Sequence, residues 1–135
     1  MIRSPIISTT LSWLSPVLIT VALFLLLRGH HEPGGGFAGG LIAGLVVILE
    51  GSTRGVARAR QILRLPPRLW MALGLGAALA SGLPGLLSGQ AFMTAAWFSI
   101  GTLKLGTPLL FDLGVFALVT GVTASLALPL MEDEP

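Results

Sequence analysis

The chain has 135 residues, 53% of them hydrophobic and only 10% charged, which excludes an ordinary soluble domain. The formal charge is +2, but Arg54, Arg58, Arg60, Arg64 and Arg68 account for five of the eight basic residues and crowd into one loop. Such local basicity orients a membrane chain before it signals nucleic acid. The absence of cysteine excludes disulfides, thiolate metal sites and cysteine nucleophiles.

The expected class is an all-α integral membrane protein, a single domain over residues 1–135 with about four transmembrane helices. The first span is predicted at 6–27. Arg3 precedes an apolar run too long for the core of a signal peptide and without a small-residue cleavage site, so the run reads as a retained span. Ser8, Thr9, Thr10, Ser12 and Ser15 occupy its first half, where hydroxyls bond back to their own helix or to neighbours. Pro16 reads equally as a tolerated membrane proline or as a hinge.

The stretch from Leu27 to Gly40, LRGHHEPGGGFAGG, then breaks the chain. Pro33 fixes its own φ and biases Glu32 away from helix, and Gly34, Gly35 and Gly36 suit a tight, closely packed turn. A second span is predicted at 36–50. Gly36, Gly40 and Gly44 recur at every fourth position on one of its faces, two overlapping GxxxG patterns that admit another helix at backbone distance. Glu50 closes this span, and Arg54 follows at a spacing suited to an ion pair.

The basic loop 54–68 is predicted to be cytoplasmic, which places both termini inside and the HHEPGGG turn outside. A third span, 69–87, opens with interfacial Trp70 and contains Gly74, Gly76, Gly82, Pro84 and Gly85, a composition that calls for shelter by protein. The connection from Ser88 to Pro108 is too mixed for a span and is expected along the outer interface, with a β-turn or short extended stretch. A fourth span at 109–130 carries Asp112 near its start, where a carboxylate meets the positive end of the helix dipole.

Ionisable residues at membrane depth are expensive and point to function. Here they are Arg28, His30, His31, Glu32, Glu50, Lys104 and Asp112. Adjacent His30, His31 and Glu32 lack the helical ligand spacing of a metal site, and no further histidine or cysteine completes a shell. No nucleophile elbow or phosphate loop is present. The expectation is therefore no catalytic residue, no metal and no cofactor. Arg28–Glu32 and Lys104–Asp112 read either as structural pairs or as proton or cation contacts.

Two motifs, LLRGHHEPGGGFAGGLIAGLVVILEG and GTPLLFDLGVFALVTGVTASL, resemble the MnhB-like component of the Mrp-type (Mnh) multisubunit cation/proton antiporters. Related segments occur in membrane-bound hydrogenase arms. The resemblance implies a non-catalytic component of a plasma-membrane complex exchanging Na+ for H+, which helps assemble the complex and lines part of the ion path. It also implies as partners other hydrophobic subunits, including complex I-like large subunits, and membrane lipid, with no nucleic acid. On this reading Asp112, Glu32, His30 and Lys104 are the ion-path candidates, with Asp112 foremost. Arg28 and Gly34–Gly36 hold the outer turn, and Gly36, Gly40 and Gly44 pack helices. The rival readings are an oxidoreductase membrane arm, a self-contained homo-oligomeric channel, and an intramembrane metal-dependent hydrolase.

Overall fold

A run of apolar residues in lipid satisfies its backbone polar groups most simply as helix, and long apolar runs dominate this chain. The computed structural model describes residues 5–28, 35–87, 89–90, 97–100 and 103–132. Helix α1 spans Pro5–Arg28 and α2 spans Gly35–Arg54. Helix α2 passes Glu50 by a further turn, because Arg54 continues the helix and reaches back to the Glu50 carboxylate. Gly55, at φ 102°, then turns the chain through a conformation that favours glycine.

The basic segment forms a short amphipathic helix, α3 (Val56–Leu63), with Ala59 and Leu63 buried and Arg58 and Arg60 exposed. Pro66 and Pro67 start α4 (Pro67–Ala80), proline being compatible with the first turn of a helix. The stretch expected as the third span is divided. Helix α4 ends at Ser81 and Gly82, and a five-residue helix, α5 (Leu83–Leu87), follows. At 1.5 Å per residue α4 is about 21 Å long, less than the bilayer core. Strands β1 (Trp97–Ile100) and β2 (Leu103–Gly106) form an antiparallel hairpin with Trp97 opposite Gly106 and Ser99 opposite Lys104. Helix α6 (Thr107–Glu132) completes the described chain.

The fold is thus all-α in class, with this small hairpin in the connection where an extended stretch was expected. Among the described residues three helices, α1, α2 and α6, are long and apolar enough to cross a membrane. The long helices stand in the order α1–α2–α6–α4: α2 packs between α1 and α6, and α6 between α2 and α4. Helix α1 keeps Trp13, Val17, Phe24 and Leu27 exposed on its outer side. The core under α3 consists of Val47, Ala59, Leu63, Ala124 and Leu128, with Trp70 and Met131 against it. The Leu63 carbonyl at the end of α3 accepts two hydrogen bonds, from Leu65 N–H at 2.8 Å and from Trp70 Nε1–H at 3.1 Å.

One end of the bundle gathers the start of α1, the basic helix α3 and the end of α6. Arg54 bonds the Ser8 carbonyl, and Arg60 pairs with Glu132 at 2.6 Å.

Candidate functional site

The glycine row of α2 faces α6. Gly36 lies so close to the Asp112 backbone that an added Cβ would collide with the Asp112 carbonyl oxygen. One turn on, a Cβ at Gly40 would stand 2.9 Å from the Phe116 carbonyl oxygen, and at Gly44 2.6 Å from Thr123 Cγ2. Neighbouring Gly39 turns to the other side, where a Cβ would stand 2.7 Å from the Ala22 carbonyl oxygen of α1. Thr120 Oγ1–H bonds the Phe116 carbonyl at 2.8 Å, and the Gly40 carbonyl stands 3.4 Å away.

The opposite side of α6 is built in the same way. A Cβ at Gly114 would stand 2.5 Å from the Gly74 carbonyl oxygen of α4, and one at Gly121 2.9 Å from the Pro67 carbonyl oxygen. Close backbone approach on both sides makes α6 the middle of a three-helix glycine seam.

Asp112 sits at the end of this seam, 8% exposed. It is the sixth residue of α6, in the second turn of the helix. Arg28 is exposed in the last turn of α1, a place that suits a cation. Gly35 opens α2 and Gly36 is buried. Lys104 lies on β2, in register with Ser99. His30, His31, Glu32 and Gly34, which the sequence places in the outer turn, lie outside the described residues. Among the described residues no three of His, Cys, Asp and Glu gather into a possible metal site.

A second polar cluster lies near the other end, between α1, α2 and α3. Glu50 is 2% exposed although it is an acidic residue. Its Oε1 accepts a hydrogen bond from Ser15 Oγ–H at 2.8 Å. Arg54 Nη1 stands 3.5 Å from Oε2, while Nη2 donates to Ser12 Oγ at 2.7 Å and to the Ser8 carbonyl at 3.0 Å. Oε2 accepts no hydrogen bond among the described residues. The group borders a cavity of about 370 Å³ lined by Leu11, Ser12, Ser15, Pro16, Glu50 and Arg58, among others.

The sequence places Glu50 and Arg54 one turn apart, but it does not say that Ser12 and Ser15 of α1 meet them. The available signal is the spacing of Ser8, Ser12 and Ser15, which puts three hydroxyl residues along one stripe of α1.

Buried carboxylates, glycine-spaced helix contacts and long apolar helices define a helical membrane protein made for close contact with other helices. The family model for domains related to the MnhB subunit of Na+/H+ antiporters matches residues 6–125, and the chain belongs to that family. It is similar to the B-type subunit of the Na+/H+ antiporter of Bacillus subtilis, 30% identical with 96% of this chain and 94% of the relative covered. It is also similar to the A/B-type subunit of a probable K+/H+ antiporter of Rhizobium meliloti, 39% identical over 87% of this chain, of which it spans 12%. A chain in the structure of the Mrp complex from Dietzia sp. DQ12-45-1b superposes with a TM-score of 0.77 at 30% identity, covering 96% of this chain and 15% of that one. The chain therefore spans a small part of two of these relatives and nearly all of the Bacillus protein.

Proposed function

We propose that the chain is the MnhB-type component of a multisubunit monovalent cation/proton antiporter, a transporter part that catalyses no chemical reaction. The observation that carries this reading is the end-to-end similarity to a free-standing B-type subunit of a Na+/H+ antiporter, joined to a fold in which most of the mass is membrane helix. The relatives named for Na+ and for K+ support a monovalent cation as the exchanged ion. The chain contributes close helix contacts to the assembly, and Asp112 is its foremost contact to the ion path. Arg28, His30, Glu32, Gly34, Gly35 and Gly36 hold the outer turn against a neighbouring subunit, with Lys104 on the same side. Gly36, Gly40 and Gly44 fix the distance between α2 and α6.

Partners on this reading are the other hydrophobic subunits, including the complex I-like large ones, and lipid. The location is the cell membrane. The end bearing Arg54–Arg68 faces the cytoplasm, because clustered arginine resists transfer across the bilayer. Both chain ends then lie inside, in keeping with Ser8 and Glu132 standing at that same end.

Deletion of this chain alone tests the proposal. Inverted membrane vesicles lacking it should lose Na+- or K+-dependent proton efflux, and the restored chain should return it. Efflux that persists undiminished without the chain contradicts the proposal.

A further inference from the structure

Glu50 is the most deeply buried charged side chain among the described residues, and one of its oxygens is left without a hydrogen bond. Burying a carboxylate is costly unless its lone pairs are engaged. Oxygen atoms stand beside it on a wall that also carries Leu11, Ile19, Val46 and Ile62. Ser12 and Ser15 bring hydroxyls into the cluster, and the Ser8 carbonyl is the acceptor that Arg54 reaches. Pro16, also on the cavity wall, has no N–H to give to the Ser12 carbonyl one turn before it. Among the described residues, the cationic group beside these oxygens is the Arg54 guanidinium. It spends its Nη2 protons on Ser8 and Ser12 and approaches Glu50 without a hydrogen bond. Arg54 is 26% exposed, so its head group has a way out. The other charged residue on the wall, Arg58, is exposed on α3.

We propose that this cavity binds a small monovalent inorganic cation through the Glu50 carboxylate and the Ser12 and Ser15 hydroxyls, and that Arg54 is a tethered competitor occupying the site in the cation's absence. Hard cations take oxygen ligands, and a carboxylate with two hydroxyls supplies charge and donors without a rigid cage. Cation entry requires Arg54 to release the Ser12 oxygen and swing toward solvent, and cation exit returns it. The inference rests on the antiporter reading for the choice of a transported ion, and it adds a site near the end of α2 opposite to the end that meets Asp112.

The test uses the assembled complex in vesicles, with proton efflux measured against Na+ and against K+ concentration. Glu50→Gln should raise the half-saturating cation concentration about tenfold, as loss of a charged ligand does. Arg54→Gln should lower it about threefold, the scale of a partly exposed ion pair. A merely structural Glu50–Arg54 pair would move both variants in the same direction, and that outcome overturns the proposal. An assembled Glu50→Gln complex with an unchanged half-saturating concentration also overturns it. Where Glu50→Gln does not assemble, Arg54→Gln decides, and a raised or unchanged value there defeats the proposal. A second measurement holds whether or not the antiporter reading survives. The full chain in detergent should unfold at a higher temperature in NaCl or KCl than in N-methylglucamine chloride of equal ionic strength. Glu50→Gln should lose that difference, and a wild-type chain showing none contradicts the site. Failure of the chain to co-purify with antiporter subunits contradicts the antiporter reading alone.

Discussion

Two buried carboxylates in one small membrane chain stand in different surroundings. Asp112 lies in the second turn of α6, its backbone pressed against Gly36, so the α2 contact holds it in place. Asp112→Ala should lower cation-dependent proton efflux in vesicles while the complex keeps its size; unchanged efflux removes Asp112 from the ion path. Glu50 depends on Ser15 of α1 and on Arg54 one turn along its own helix. Trp70 serves a purely structural end by donating to the Leu63 carbonyl. Trp70→Phe keeps an aromatic ring and removes the donor, so it should cost about 1 kcal/mol of stability with transport unchanged. A thermal unfolding midpoint equal to wild type would show that this bond carries no weight.

Among the elements, α6 is held between two rows of glycine contacts. Leucine at Gly36 or Gly40 would have to displace the backbone at Asp112 or Phe116, which no rotamer change relieves. Gly36→Leu and Gly40→Leu should therefore deplete the folded chain from membranes, measured as monodisperse yield in mild detergent. Gly76 provides the contrast, since nothing lies within 4 Å of a Cβ added there. Gly76→Ala should be tolerated and stabilise α4 by up to about 1 kcal/mol through helix propensity. Equal losses from Gly36→Leu and Gly76→Ala would contradict the seam.

Three of the four expected spans correspond to the long apolar helices α1, α2 and α6, which apolar length alone marks, and the glycine spacing showed that α2 has a close neighbour. Which neighbour it is depends on helix rotation. The Ser8, Ser12 and Ser15 stripe gives the first half of α1 a polar side but names no partner for it, so the meeting of Ser15 with Glu50, 35 positions apart, was hidden. The break in the third span at Ser81 and Gly82 was written only as glycine and proline content, which fits both a sheltered helix and a divided one. The continuation of α2 beyond Glu50 depends on the Arg54 contact, which hydropathy does not weigh. Residues 29–34, where the sequence places His30, His31 and Glu32, lie outside the described residues.

For the whole molecule, the start of α1, the end of α6 and the basic helix α3 share one end of the bundle, joined by Arg54 to Ser8 and by Arg60 to Glu132. Because the chain has no cysteine, a single cysteine at Arg64 reports sidedness directly. It should resist an impermeant maleimide added to intact cells and react in inverted vesicles; the reverse pattern would invert the proposed orientation. The exposed apolar side of α1, with Trp13, Val17 and Phe24, must meet lipid or a neighbouring subunit. Assembly into a multisubunit cation/proton antiporter is read out without intermediaries by the native mass of the tagged chain purified in mild detergent, with every co-purifying protein identified. A large particle containing complex I-like subunits and other small hydrophobic chains is the expected result; a particle made only of copies of this chain would contradict that assembly.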